Sequence, residues 1–496
     1  MRMFLQFMGG GLLLVAAGCP SSVPALCDNG ACASDDAGHD GDVVGTDGGG
    51  DVVQPPAGCD PAAEPKDAPK CVVSDFGVFV DATNGADANA GTKESPVKSI
   101  GAALGKLGAK SRVYVCEGTY AEHVKLTSAV SLYGGFACGA WTYSGNKPKV
   151  APVDVGYALE IGDTTADMTV ADLSFLAVDA VDKGQSSIAA FVHKASKVVF
   201  VRSDLQAGAG KAGADGGGGA TGTITAVSGG GPLNASGYAA SGTTAGTIKT
   251  CTCSSGGTSA GGAGGGPLGA GAPGTPNLGA LAPTDGAGGA GSIACNPTGF
   301  GHNGADAANA VDASKVTSLG ALGASGWIPQ AGTAGTNGTP GQGSGGGGGR
   351  DATSAGGGGA CGGCGGTGGQ AGGGGGASVA LASLQSTVVL RASTLAAKAA
   401  GQGGAGGAKG TGAAGGSGAN GGPTGCSAGE GGRGGDGGTG SGGAGGVAVA
   451  VLHKGAAPAN EGSTLTPGTK GTKGAGGSAG TNDGPDGVQG DVLQVQ

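Results

Sequence analysis

Residues Val78 to Leu104 read VFVDATNGADANAGTKESPVKSIGAAL, and this stretch decides the fold. A β-branched run, Val78-Phe79-Val80, stops at Asp81 and gives way to a segment rich in Gly, Asn and Asp. Such residues mark turns, because they tolerate left-handed backbone or bond their own chain. Pro96 then opens the stretch to Leu104, which predicts a short amphipathic helix. Working outward, Arg112-Val113-Tyr114-Val115, Val130-Ser131-Leu132-Tyr133 and Tyr157-Ala158-Leu159-Glu160-Ile161 have the texture of short strands between turns.

The order of these pieces resembles the start of right-handed parallel β-helix proteins of the pectate-lyase-like superfamily. The residues that carry the resemblance are Val80-Asp81, Gly85 to Thr92, Ser95-Pro96, Val113-Tyr114-Val115, Glu117 to Glu122, and Leu132 to Phe136 with Trp141. The resemblance implies an all-β fold, a parallel β-helix solenoid whose first coil is covered by an N-terminal capping helix. A cap of this kind keeps a bare sheet edge out of solvent. The module has no activity of its own that the resemblance would carry over.

Internal repeats support the same fold. Lys197 to Leu205 aligns without gaps on Thr387 to Leu395, and Phe191-Val192-His193-Lys194 aligns on Val451-Leu452-His453-Lys454. That register brings Ser203-Asp204-Leu205 onto Ser463-Thr464-Leu465, with Leu173-Ser174-Phe175 one coil earlier. Stacked coils require such a recurring strand–turn–strand unit. Pro458 and Asn460 interrupt the third copy, which predicts a frayed last coil.

Of 496 residues 122 are Gly, and their distribution is uneven. Twelve of the 17 aromatic residues lie between Phe76 and Phe200, so the core is expected mainly in the first half. The glycine-rich segments begin just after Leu205, Leu395 and Leu465, at one corner of the solenoid each time. Insertions collected on one face are usual in solenoids, and loop length costs only logarithmically in closure entropy. Runs such as Gly401 to Gly407 approach a Gly-Gly-X pattern with the three-residue turn of a polyproline-II helix. In composition they resemble the PGRS-type proteins of mycobacteria; a disordered coat is the other reading. Collagen is excluded by the missing Gly-X-Y period, and RTX calcium repeats by the missing regular Asp. No Gly-X-Gly triplet sits between a strand and a basic helix, which argues against phosphate and dinucleotide loops. Because the insertions offer few side chains to bury, residues 207–376 are expected to be dispensable for folding.

At the N-terminus, Arg2 and the apolar stretch Met3 to Ala17 have the shape of a signal peptide. Its end, Leu14-Val15-Ala16-Ala17-Gly18-Cys19, resembles a bacterial lipobox, which implies lipidation at Cys19. Between Pro20 and Lys70 stand ten acidic residues against Lys66 and Lys70, nearly all of the net charge of −9. Such a segment is expected to be an extended, disordered tether. From lipobox to glycine-rich coils, the layout is also similar to a family of lipoproteins from myxobacteria.

Removing Cys19 leaves 12 cysteines, an even number that favours disulfides in an exported protein. Cys116 with Cys138 and Cys59 with Cys71 are the expected pairs; Cys251, Cys253, Cys361 and Cys364 are further candidates, with pairing open. Cys361-Gly-Gly-Cys364 has zinc-ribbon spacing, but Cys251-Thr-Cys253 does not complete such a site, and no metal or cofactor is expected.

The chain thus divides into a signal peptide (1–18), an acidic tether (19–70), a cap with the first coils (71–205), coils at 377–395 and 447–465, and glycine-rich segments at 206–376, 396–446 and 466–496. The expected role is that of a non-enzymatic lipoprotein of the cell envelope, at the outer membrane or cell surface, with a structural, display or adhesive task. The alternative is a carbohydrate-binding or polysaccharide-cleaving protein, with a cell-surface glycan as partner. For a lyase, Asp172, Asp204, Arg202 and Arg391 are the nearest acid and base candidates; for a glycosidase, Asp179 with Asp182 or Asp163 with Asp167. His193 and His453 fall at equivalent repeat positions, which suggests a structural place. Asp81, Asp87 and Asn89 could meet a cation, though Asx residues in turns commonly bond their own backbone. Nucleic-acid binding is not expected, since there is no basic patch.

Overall fold

The computed structural model describes residues 53–228, 231–278, 285–292 and 294–496; the expected lipidation site Cys19 lies outside them. Three parallel sheets wind the chain into a β-helix solenoid. Sheet 1 has seven strands: Val78–Val80, Arg112–Cys116, Ser131–Phe136, Asp167–Ala171, Lys197–Val201, Val388–Arg391 and Ala459–Glu461. Sheet 2 stacks Thr119–Tyr120, Lys149–Val150, Ser174–Leu176, Asp204–Gln206, Thr394–Ala396 and Thr464–Thr466. Sheet 3 stacks Val124–Leu126, Leu159–Gly162, Ser187–His193, Ser378–Leu384, Ala448–Lys454 and Gln489–Gln494. Among the described residues no helix is long and apolar enough to cross a membrane.

Strand alternation sends every second side chain inward, so equivalent positions form columns along the axis. Leu132, Val170, Phe200 and Leu390 make one column, Phe175, Leu205 and Leu395 a second, and Leu159, Ala190, Leu381 and Val451 a third. All are buried in one core, where each large side chain contributes about 1.5–3 kcal/mol.

Two corners of the coil need left-handed backbone. One corner is held by Asp163, Lys194, Gln385 and Gly455, and the other by Asp172, Arg202, Ala392 and Gly462; all have positive φ. Only Gly takes this conformation without steric cost, so at the non-glycine positions the stacked sheets hold it. The second corner lies nine residues after the first in the early coil (163 to 172), eight in the next (194 to 202), and seven in the last two. This shortening corrects the sequence alignment in sheet 3. Val192 pairs with Ser383 and Ser383 with His453, so His193 and His453 are not equivalent. The alignment of Ser203, Ser393 and Ser463 is met by a ladder: Ser203 N donates to Ser393 Oγ at 3.0 Å and Ser393 N to Ser463 Oγ at 2.9 Å. The last coil is paired throughout, with Ala459–Glu461 against Val389–Arg391.

The capping helix is shorter than the sequence predicts, spanning Ile100–Leu104, because Val97 bridges to Val80. Ser99 caps it, its Oγ accepting from Ala102 N at 3.1 Å, and Glu122 takes the N–H groups of Ile100 and Gly101 at 2.8 and 2.9 Å. Residues 53–70, expected within the tether, are packed instead. Cys59 and Cys71 are bridged, Tyr114 Oη donates to Cys71 O at 2.6 Å, and Arg112 Nη2 donates to Pro61 O at 2.5 Å. This segment covers the outer aromatic ladder of sheet 1, where Phe79, Tyr114 and Tyr133 stack.

The glycine-rich segments leave the solenoid between sheets 2 and 3 and form ordered layers of extended helices. Every third N–H bonds sideways, as three residues per turn dictates. In the outer layer, 207–222, 396–411 and 466–475 run parallel: Gly213 N donates to Gln402 O at 2.8 Å and Gly403 N to Thr472 O at 2.9 Å. The middle layer, 355–376 and 431–446, runs antiparallel to them, as in Gly404 N to Gly373 O (2.8 Å) and Gly440 N to Gly407 O (2.9 Å). Residues 303–313 and 331–341 lie on the far side of the middle layer, with Ala310 N donating to Asp436 O and Gly338 N to Gly366 O, both at 2.8 Å. Thus the insertions are not decoration. They interleave, with 355–376 of the first insertion bonded to 401–422 of the second.

Cys251–Cys361 and Cys253–Cys364 tie the strand Thr250–Cys253 to the middle layer, and Cys295–Cys426 ties the two insertions together. Cys116–Cys138 closes the cap region with Cα atoms 5.1 Å apart. A hairpin, Gly320–Gly323 with Gly326–Pro329, presses Trp327 onto the outer face of sheet 3 beside Ile188 and Phe191.

Candidate functional site

The acid and base candidates converge at one place only, the second corner of sheet 1. Asp172 is nearly fully buried, and Arg202 of the next coil reaches it with Nε and Nη2 at 2.8 and 2.7 Å. Tyr143 Oη donates to the same carboxylate at 3.0 Å. Glu64, from the packed N-terminal segment, closes on the other side of the Arg202 guanidinium. The pKa of Arg202 is raised, first through its hydrogen bond to Asp172, which favours its charged form. That of Tyr143 is also raised, by burial and then by the Asp172 charge.

The other candidates stand apart. Asp204 pairs with Lys147 at 2.7 Å, and Arg391 with Glu461 at 2.8 Å. Asp179 accepts from Ala209 N and Lys398 Nζ, which hold its carboxyl below the usual range, while its proposed partner Asp182 is solvent-exposed. Asp167 meets Lys197 at 3.6 Å, and Asp163 is an exposed corner residue. His193 Nε2 lies 3.4 Å from Glu160, whereas His453 Nδ1 faces Gly455 O at 3.2 Å.

In the cap turn the Asx residues serve their own chain. Asp81 Oδ1 accepts from Thr83 N and Asn84 N, Asp87 Oδ1 from Lys98 N and Ser99 N, and Asn89 Nδ2 donates to Pro96 O. Among the described residues, the one group of three metal-ligating types with all donor atoms within 4.8 Å is Asp81, Cys116 and Cys138. Its two sulfurs are joined in a disulfide, and Asp81 is committed to the turn.

Beside the corner, on the outer face of sheet 1, an open groove of about 400 Å³ is lined by Pro61, Arg112, Ser131, Tyr133, Thr169 and Lys197 among others. Arg112 is clamped between the rings of Phe76 and Tyr133, 4.7 and 5.3 Å from their centroids. The sequence analysis missed Glu64, Arg112 and Tyr133 here. Only the ladder register, with Arg112 against Ser131 and Tyr114 against Tyr133, places Arg112 and Tyr133 on one outer face, and Glu64 reaches the corner from the packed N-terminal segment. Cys295 and Cys426 could not be paired from the sequence, because Cys27 and Cys32 also remain once the other cysteines combine.

A family described as a protein of unknown function (DUF1565) matches residues 83–191, from the cap turn to the sheet 3 strand Ser187–His193. No curated protein and no solved structure matches the chain.

Proposed function

We propose that this is a non-enzymatic protein of the cell envelope, lipidated at Cys19, whose β-helix carries its glycine-rich layers as a rigid plate for structural or adhesive use at the surface. The observation that carries the reading is the state of the corner cluster. Catalysis needs an acid or base free to exchange a proton with substrate. Here Asp172 is buried under Arg202 and Tyr143, Arg202 is shared with Glu64, and the remaining carboxylates are paired or scattered. The plate, by contrast, is bonded through its backbone from helix to helix, and its outer layer exposes Lys398, Gln402 and Lys409 between the glycines.

A lyase and glycosidase screen of the purified protein on acidic and neutral polysaccharides tests the first half of the reading. No turnover is expected, and turnover abolished by Arg202→Ala in a folded variant would overturn it. Cys19→Ser tests the anchor: the variant is expected to lose membrane partition, and unchanged partition would refute lipidation. A second reading, glycan binding without cleavage, is favoured by the groove at Arg112 and Tyr133. A glycan array read with Tyr133→Ala separates the two.

A further inference from the structure

The outer glycine layer has a direction. Each helix donates N–H groups to the helix of the next coil, as in Ala180 to Ala209, Gly213 to Gln402 and Gly403 to Thr472. Each helix also turns one row of residues back toward its predecessor. In the second helix that row is Gly401, Gly404, Gly407 and Gly410, where a Cβ would stand 2.0–2.1 Å from the carbonyl oxygens of Lys211, Ala214, Gly217 and Ala220. In the third it is Gly468, Gly471, Gly474 and Gly477, with 1.7–2.0 Å of room. A following helix therefore fits only when this row is glycine.

The first helix breaks the rule where it has no predecessor. Its row reads Gly208, Lys211, Ala214, Gly217 and Ala220. Gly208 lies against Val178 of the preceding coil, with 2.2 Å to its carbonyl oxygen. The preceding coil reaches as far as Ala212, whose carbonyl accepts from Gly184 N at 2.8 Å; beyond it the row carries Ala214 and Ala220 on either side of Gly217, and the carbonyl groups of Asp215, Gly218 and Thr221 accept no bond among the described residues. Those Cβ atoms fill the space that another backbone would need.

The opposite edge is closed by a different device. The donors due on the last helix are residues 467, 470, 473 and 476, by the spacing of 397, 400, 403 and 406. Pro467 has no N–H. Lys470 N donates to Gln489 Oε1 at 3.2 Å, Lys473 N to Asp486 Oδ1 at 3.0 Å, and Gly476 N to Asp483 Oδ1 at 2.8 Å. The same spacing recurs where Asn303, Asp306, Asn309 and Asp312 take the N–H groups of Glu430, Arg433, Asp436 and Thr439.

We propose that the glycine layer is built to end: back-facing side chains on its first helix and a side-chain acceptor ladder on its last stop it from adding a glycine-rich chain of another molecule. Edge strands of β-sheets need the same protection, for the same reason of unpaired backbone. The inference concerns the layer's edges and stands whatever its outer face binds.

The test uses a fluorescent synthetic peptide of residues 401–412, whose glycine spacing suits either edge, and reads anisotropy against the full protein. The wild type is expected not to bind it. Saturable binding is expected for Lys211→Gly/Ala214→Gly/Ala220→Gly and for Asp483→Ala/Asp486→Ala/Gln489→Ala. A peptide with Ala at the positions of 401, 404, 407 and 410 should not bind the second variant, and Asp483→Asn/Asp486→Asn, which keeps its carbonyl acceptors, should behave as wild type. Binding by the wild type, or no binding by the folded opened variants, overturns the proposal. If the opened variants fail to fold, amide exchange of the wild type decides. Protection of Lys470, Lys473 and Gly476 comparable to Gly403 and Gly406 sustains the ladder, and exchange at the rate of exposed backbone overturns it.

Discussion

Asp172 and Arg202 occupy the same left-handed corner in consecutive coils, and their side chains close a two-pronged ion pair at 2.8 and 2.7 Å. Because Asp172 is buried, removing its partner strands a charge in a poorly solvated place. Arg202→Ala is expected to cost about 2–4 kcal/mol in urea unfolding, while Arg202→Met/Asp172→Asn recovers part of the loss. An effect below about 0.5 kcal/mol would show that the pair is solvated like an ordinary surface bridge.

Glycine is demanded at some positions of the layer and not at others. A Cβ on Gly404 would stand 2.0 Å from Ala214 O, whereas the nearest atom to a Cβ on Gly218 is 3.8 Å away. Gly404→Ala should destabilise by about 1–3 kcal/mol or more, as overpacking does. Gly218→Ala should be neutral or stabilise by about 0.4–1 kcal/mol, through the less flexible unfolded chain. Thermal unfolding of the two variants side by side checks the contrast.

Deletion of residues 207–376 behind a short linker was expected from sequence to leave the fold intact. The structure reverses that expectation. Gly404, Gly407 and Gly410 would lose their carbonyl partners on Gly373, Gln370 and Thr367, and Ile188 and Phe191 would lose the cover of Trp327. The deleted protein should lack a single cooperative transition by circular dichroism, and a wild-type-like transition would show the layers to be separable.

The bridges are expected to map as Cys59–Cys71, Cys116–Cys138, Cys251–Cys361, Cys253–Cys364 and Cys295–Cys426 in non-reducing peptide analysis. Cys295→Ser/Cys426→Ser should cost about 2–4 kcal/mol, since that bridge joins residues 131 apart in sequence. Free thiols at both positions in the wild type would refute the pairing.

Acid should loosen the closing edge of the layer. Gly476 N–H, then Lys473 and Gly480 N–H, pull the Asp483 carboxyl down to about 2. A carboxylate depressed below its unfolded value of about 3.9 adds stability above that pH and loses it as pH falls through its folded value. Protection of the Gly476 amide, corrected for intrinsic exchange, should therefore fall between about pH 4 and pH 2. In Asp483→Asn this dependence should vanish; its persistence would point to another group.

How much was legible in the sequence differs from element to element. The short β-branched runs, the cap turn and the recurrence of Ser203-Asp204-Leu205 determined a capped parallel solenoid, because strand alternation and turn chemistry are local and repeat with every coil. The three exits of the glycine-rich segments followed from the same register. Cysteine count indicated oxidised bridges; Cys116–Cys138 was legible from the neighbouring strands it flanks, and Cys59–Cys71 from its place at the boundary of the fold. Tertiary structure alone decided the rest. The corner that shortens from nine residues to seven shifts His453 against His193, and no gapless alignment reveals it. Whether Gly401 to Gly410 order depends on carbonyl groups of Lys211 to Ala220, nearly two hundred residues away, and Gly itself carries no side chain to announce a partner. Arg202 reads as a base in sequence and is an ion-paired corner residue in space, because the charges that fix it, Asp172 and Glu64, come from another coil and from the segment taken for a tether.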